Sequence, residues 1–217
     1  MMRHSTTALV AVAFFLSGCA GTPPARYSGI DSASRLTPNT GDEADRIPFK
    51  YSTQVDWNQY STMIIEPVSI YQGTDGQFGD MSPADRQQLA TYMKEKFTAS
   101  LRAHYQETTV SAPKTLRIKL TLTGADTTTQ VIGTFTKFDL AGGPYNIVQS
   151  VRGGRGMFSG SVDYAVEVYD AQSNKLLTAY VARQYPNAMN ISATIGSLSA
   201  AQVGIDKGAE ELANVLK

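Results

Sequence analysis

Apolar residues recur with two different periods along this chain, and the changes of period divide it into elements. The period of two is clearest where Leu116, Ile118, Leu120 and Leu122 alternate with Arg117, Lys119, Thr121 and Thr123. That pattern predicts a strand with one face in a core and the other in water. A second strand is predicted where Val162, Tyr164, Val166 and Val168 alternate with Ser161, Asp163, Ala165 and Glu167. Asp170 to Lys175 is turn chemistry, so Leu176 to Gln184 should return as its antiparallel partner. Between Met63 and Tyr71 the alternation breaks, with Met63 and Ile65 on one parity and Val68 and Ile70 on the other. Pro67 lies at the change, and a bulge there would return both pairs to one face.

Helical spacing takes over between these strands. Ser82-Pro83-Ala84-Asp85 offers a hydroxyl at the N-cap, proline at N1 and a carboxylate in the first turn, ahead of Leu89, Met93, Phe97 and Leu101. That stripe predicts a helix of roughly 22 residues with one apolar face. Near the carboxyl end, Ser199 and Gln202 are spaced as a capping box, and Ile205, Ala209, Leu212 and Leu216 form a second stripe. Gly204 and Gly208 weaken that helix by about 1 kcal/mol each relative to alanine, which close approach to a sheet would justify. The order of elements predicts an α+β fold. Its form is a two-layer sandwich whose mainly antiparallel sheet carries two amphipathic helices on one face.

Three stretches lack a sustained period. Arg3 and His4 precede an apolar segment of eleven residues, Thr6 to Leu16, which is too short to span a bilayer and has the form of a secretory signal. From Ala20 to Val55 prolines and glycines recur, as in a tether, and 36 such residues would reach about 30–36 Å if flexible. Tyr27, Ile30, Leu36, Phe49 and Tyr51 are too many apolar side chains for a plain spacer, so part of this stretch should lie against the domain. Thr127 to Gly160 sets Phe135, Phe138, Tyr145 and Phe158 among glycine-rich runs. We expect it to extend the sheet with a glycine-rich tip, and its four aromatics are the candidate contact for a partner.

Charge and chemistry narrow the choice of function. The chain has 19 Lys+Arg and 19 Asp+Glu, and removal of residues 1–18 would leave 18 against 19. Such a balance lacks the clustered basic surface that phosphates require, so no nucleic-acid partner is expected. Cys19 is the single cysteine, and His104 is the only histidine beyond the signal. Zinc sites of Cys/His type are thereby excluded once Cys19 is used otherwise, and so is a cysteine nucleophile. His104 itself reads as a partner for the C-terminal dipole of the first helix. Without a Gly-x-Ser-x-Gly elbow, a phosphate-binding loop or EF-hand spacing, no cofactor and no metal are expected. Carboxylates are the remaining catalytic option. Glu66, Asp163 and Glu167 are the candidates, since paired acids can hydrolyse when burial splits their pKa values. The alternative is that Asp163 and Glu167 are solvated charges on the wet face of a strand.

Leu16-Ser17-Gly18-Cys19 closes the apolar segment. These residues resemble the lipobox of bacterial lipoproteins. The resemblance implies that a dedicated peptidase reads Leu16, Ser17 and Gly18 and cuts before Cys19, which carries lipid on its sulfur and usually on the new amino terminus. Residues 1–18 would then be the signal peptide, 19–55 the lipidated terminus and partly extended tether, and 56–217 a single α+β domain. Ala20, the residue after the cysteine, resembles the outer-membrane default of enterobacterial lipoproteins. An anchor in the outer membrane with the domain facing the periplasm is the expectation, and surface-exposed forms carry the same signal.

Further along, Tyr27-Ser28-Gly29-Ile30, Ser34-Arg35-Leu36, Glu66-Pro67-Val68 and Asp170 to Asn174 occur in that order. They resemble the motifs of a family of bacterial outer-membrane lipoproteins known only as a domain of unknown function. The departures are mild: Ile30 for Phe, Glu66 for Asp, and Ser173-Asn174 for Thr-Gly. That resemblance implies a location and a fold, and it brings no catalytic residues. The expected role is a binding or scaffold module that meets another envelope protein or itself. A carboxylate hydrolase and an accessory subunit of a transport or secretion machine are the alternatives.

Overall fold

The strands with the cleanest alternation form the middle of one mixed sheet. A computed structural model of the protein describes residues 23–127, 160–186 and 196–217. Among them the strands are β1 (Thr37–Pro38), β2 (Phe49–Ser52), β3 (Thr62–Ile65), β4 (Ser69–Ile70), β5 (Gln106–Glu107), β6 (Thr115–Asp126), β7 (Ser161–Asp170) and β8 (Leu176–Gln184). Across the sheet the order is β1-β2-β8-β7-β6-β3-β5, with β4 pairing to β6 beyond the end of β3. The pairings from β1 through β8 and β7 to β6 are antiparallel, whereas β3, β4 and β5 pair in parallel. The fold is α+β with a mainly antiparallel sheet, as expected. Parallel pairing at β3 follows from the helix α1 (Pro83–Leu101), which carries the chain from β4 back to the starting end of the sheet.

Pro67 interrupts the ladder as its position suggests. Ile65 pairs with Ile118 and Ser69 with Thr121, so one extra residue lies on the β3–β4 side. The insertion sets Ile70 opposite Leu122, on the same face as Met63 and Ile65.

The helices cover that face. Ser82 caps α1, its Oγ accepting from the Asp85 amide at 3.1 Å, and Leu89, Met93, Phe97 and Leu101 are fully buried. Phe97 meets Tyr164 of β7 edge-on with ring centroids 5.7 Å apart. The second helix, α2 (Ser199–Val215), packs on α1, β7 and β8. Its start departs from the expected capping box: Leu198 occupies the N-cap, and Ser199 Oγ donates instead to the Gly196 carbonyl at 2.8 Å. The turn at Gly196, with φ of 103°, takes up the hydroxyl that would have capped the helix. Both glycines inside α2 permit contact that a side chain would forbid. A Cβ on Gly204 would lie 2.8 Å from Val162 Cγ1, and one on Gly208 2.0 Å from Tyr164 Oη.

The opposite face of the sheet is not wet, and here the expectation is corrected. Asp163, Glu167, Thr121, Thr123 and Arg183 all point to that side and all are buried. Their cover is the stretch from Pro23 to Leu36, called the arm below, in which Tyr27, Ile30 and Leu36 are buried. Phe49 and Tyr51 of β2 extend this face, with Arg26 and Arg35 of the arm stacked over their rings at 5.3 and 5.8 Å. The chain has joined the fold well before residue 56. Charges on a strand remain in water only while nothing covers them, and here an irregular segment distant in sequence does.

Candidate functional site

The groups that attract attention lie between the arm and the sheet. Asp163 on β7 stands directly across from Arg183 on β8. Arg183 donates from Nε to Oδ1 at 2.6 Å and from Nη2 to Oδ2 at 2.5 Å, so the carboxylate is held by a two-pronged, charge-assisted contact. Nη2 also donates to Gln77 Oε1 at 3.1 Å, and the Tyr27 hydroxyl donates to the same oxygen at 3.1 Å. The Gln77 amide group in turn donates to the Pro23 carbonyl at 3.0 Å. A chain of polar contacts thus runs from the sheet through the 72–80 loop to the arm.

Gln77 is held in place by its own backbone. Its amide donates to the Thr123 carbonyl at 2.9 Å and its carbonyl accepts from Ala125 at 3.1 Å. Gly124 lies between them, where a Cβ would meet the Gln77 carbonyl oxygen at 2.5 Å. Only glycine admits this approach. Tyr27 sits in the left-handed region with φ of 55°, a costly conformation for an aromatic residue that its complete burial enforces. Its ring meets that of Tyr71 edge-on at 5.3 Å. Tyr71 Oη accepts from the Gly29 amide at 3.0 Å and donates to Asp75 at 2.7 Å, while the Ser28 amide donates to Asp75 at 3.3 Å.

A second cluster lies four residues further along β7 on the same face. Glu167 Oε1 accepts from the Ser32 amide at 2.6 Å, and Oε2 lies 3.8 Å from Lys119 Nζ, which is bonded to Asp31 at 2.6 Å. Glu66, the third candidate carboxylate, is half-buried and paired with Arg117 at 2.6 Å. Arg117 also stacks over Tyr169 at 4.2 Å and donates to Asn174.

Burial decides the protonation of this layer. It pushes the Tyr27 hydroxyl well above its ordinary value, and nearby Asp163 adds to the rise, so Tyr27 remains a donor. Tyr169 is raised for the same reason, first by burial and then by Glu167. Burial opposes the charge on Arg183, but Asp163 outweighs it and the guanidinium stays ionised.

These contacts give the candidate acids a definite chemical character. Asp163 and Glu167 are buried attachment points for the arm and for its Gln77 bridge, and Glu66 is a salt-bridge partner at the Pro67 break. Strand spacing separates Asp163 from Glu167 by on the order of 13 Å along the chain, which does not make them a close pair. Two shallow surface depressions are lined by residues Arg102 to Glu107 and by Gln87, Tyr92 and Gln202. None of the three carboxylates reaches either one. His104 is exposed in the turn that follows α1 and lines the first. Among the described residues no group of three or more His, Cys, Asp and Glu could hold a metal ion, and no helix is long and apolar enough to cross a membrane. Leu16, Ser17, Gly18 and Cys19, like Phe135, Phe138, Tyr145 and Phe158, lie outside the described residues.

Arg183, Gln77 and Ser32 were not singled out by the sequence pattern, whereas Tyr27 was expected to lie against the domain and Lys119 was placed on a wet face. Counting back along both strands from the hairpin turn at Asp170 to Lys175 would place Ala182 opposite Asp163; the register shift between Val168 and Tyr169 brings Arg183 there instead, and no local signal announces it.

Comparison with known proteins adds a family. A family model described as a protein of unknown function, DUF3313, matches residues 26–212. No curated protein matches the chain. Two solved structures of the PelC dodecamer from Paraburkholderia phytofirmans, one of them a point variant, match with TM-scores of 0.39 at 10% identity. They cover 75% of this chain and 93% or 94% of theirs, and at that TM-score the likeness carries no argument.

Proposed function

The chain belongs to the DUF3313 family, whose function is unknown, and from that starting point we propose that it is a lipid-anchored protein of the cell envelope. In this reading Cys19 carries the lipid, the anchor lies in the outer membrane, and the domain faces the periplasm. There it serves as a binding or scaffold module for another envelope protein or for a second copy of itself. The observation that carries the reading is Leu16-Ser17-Gly18-Cys19 at the end of an eleven-residue apolar segment with Arg3 and His4 ahead of it. The commitment of Glu66, Asp163 and Glu167 to internal contacts favours a scaffold over a carboxylate hydrolase.

The test is processing. Inhibition of lipoprotein signal peptidase should accumulate a precursor that retains residues 1–18, and mass spectrometry of the mature protein should find lipid on Cys19. Cys19→Ala should abolish both the lipid and the membrane fractionation. If that variant is processed and fractionates like the parent, the anchor is wrong.

A further inference from the structure

We infer that the pole of the fold where the arm enters, built from Pro23, the 72–80 loop and the adjoining ends of β6, β7 and β8, is apposed to the lipid surface, with the 171–175 turn pointing away. This orientation rests on the anchor at Cys19 proposed above and deepens it. The reason is chain length. Pro23 is already bound, its carbonyl accepting from Gln77, and Pro24 and Tyr27 are buried. Cys19 and Pro23 are four residues apart, so the extended chain between them spans at most about 14 Å. A free tether of 36 residues would leave the domain able to turn in any direction. Fixing the arm to the sheet removes that freedom.

The direction follows from the sheet. Gln77 is bridged to Gly124 near the end of β6, and Asp126 of β6 pairs with Ser161 at the start of β7. Pro23 therefore sits at the end of the sheet where β6 stops and β7 begins. From there β7 runs ten residues to Asp170, a rise of about 33 Å. The turn after β7 is thus a strand length further from the anchor than the 72–80 loop.

Two exposed positions read this difference, Thr74 in the loop and Gln172 in the turn. With the sulfur of Cys19 occupied by lipid, Thr74→Cys or Gln172→Cys supplies the one free thiol for a nitroxide label. The full-length lipidated protein is reconstituted in phosphatidylethanolamine–phosphatidylglycerol vesicles that contain a gadolinium-chelating lipid. Relaxation enhancement at position 74 should exceed that at 172 several-fold. Insertion of about 20 Gly/Ser residues after Gly21 adds roughly 22–27 Å of reach and should erase the difference. Vesicle-bound protein with equal enhancement at the two positions overturns the orientation and leaves the anchor standing. A difference that survives the insertion overturns chain length as the cause of the orientation. Protein that carries no lipid on Cys19 and does not float with the vesicles overturns the anchor and the orientation together.

Discussion

Replacement of Arg183 by methionine would test whether the layer under the arm holds the fold together. Asp163 is 1% exposed and both of its oxygens are bound by Arg183, which is itself 8% exposed. Arg183→Met preserves much of the apolar stem and removes the charge, leaving Asp163 buried without its cation. Breaking a buried pair from one side costs about 3–5 kcal/mol, because the remaining charge keeps its desolvation penalty. Gln77 would lose one donor and retain Tyr27. For a chain of this size each kcal/mol lowers Tm by about 2–4 °C, so the variant should melt roughly 6–20 °C below the parent. Urea unfolding followed by the fluorescence of the single tryptophan, Trp57, gives the free energy directly. The companion variant, Asp163→Leu with Arg183→Met, removes both charges and should be more stable than Arg183→Met alone. The reasoning is refuted if Arg183→Met unfolds within about 1 kcal/mol of the parent, or if the double variant is the less stable of the two.

Two smaller predictions concern the helix layer and pH. Gly208→Ala gains about 1 kcal/mol of helix propensity but drives a methyl against Tyr164. Overpacking of this kind costs about 1–3 kcal/mol, so thermal melting should show net destabilisation, partly relieved by Tyr164→Phe. Asp170 accepts from the amide and hydroxyl of Ser173 and from the Tyr60 hydroxyl, and the Ser173 amide does most to hold its carboxyl below the ordinary range. A lowered native pKa means stability that is complete above about pH 4 and is lost as pH falls through the native value. Unfolding measured across that acid limb should be flatter in Asp170→Asn than in the parent.

The parts of the fold that were legible in the sequence share one property. In β6, β7 and α1, the apolar residues on the helix-covered side repeat at the period of their own element. Leu116 to Leu122, Val162 to Val168 and Leu89 to Leu101 could be read without knowing what they touch. The arm has no such period, because Tyr27, Ile30 and Leu36 are spaced by turns and its most specific contacts are polar. Asp163 and Glu167 misled for a related reason. A carboxylate that faces water and one that faces a buried arginine or a backbone amide leave the same letter in the same alternating place. Ser199 shows a smaller version of this ambiguity, since its hydroxyl had a competing acceptor at Gly196. The parallel pairing of β3 with β6 was implicit in the order strand, helix, strand, but nothing local to either strand distinguishes a parallel neighbour from an antiparallel one.

The cover on the second face also sets a schedule. Ser32 meets Glu167 across 135 residues, and Asp31 meets Lys119 across 88. In a chain made from its amino end, the arm emerges first and can be seated only after β7 and β8 exist. Contacts this remote form slowly, since the loop must close before any of them stabilises the fold. Meanwhile Tyr27, Ile30 and Leu36 are uncovered apolar groups, the condition in which chaperones and aggregation compete for a chain. A segment made early is thus protected late, and the interval between the two is when the protein is easiest to lose.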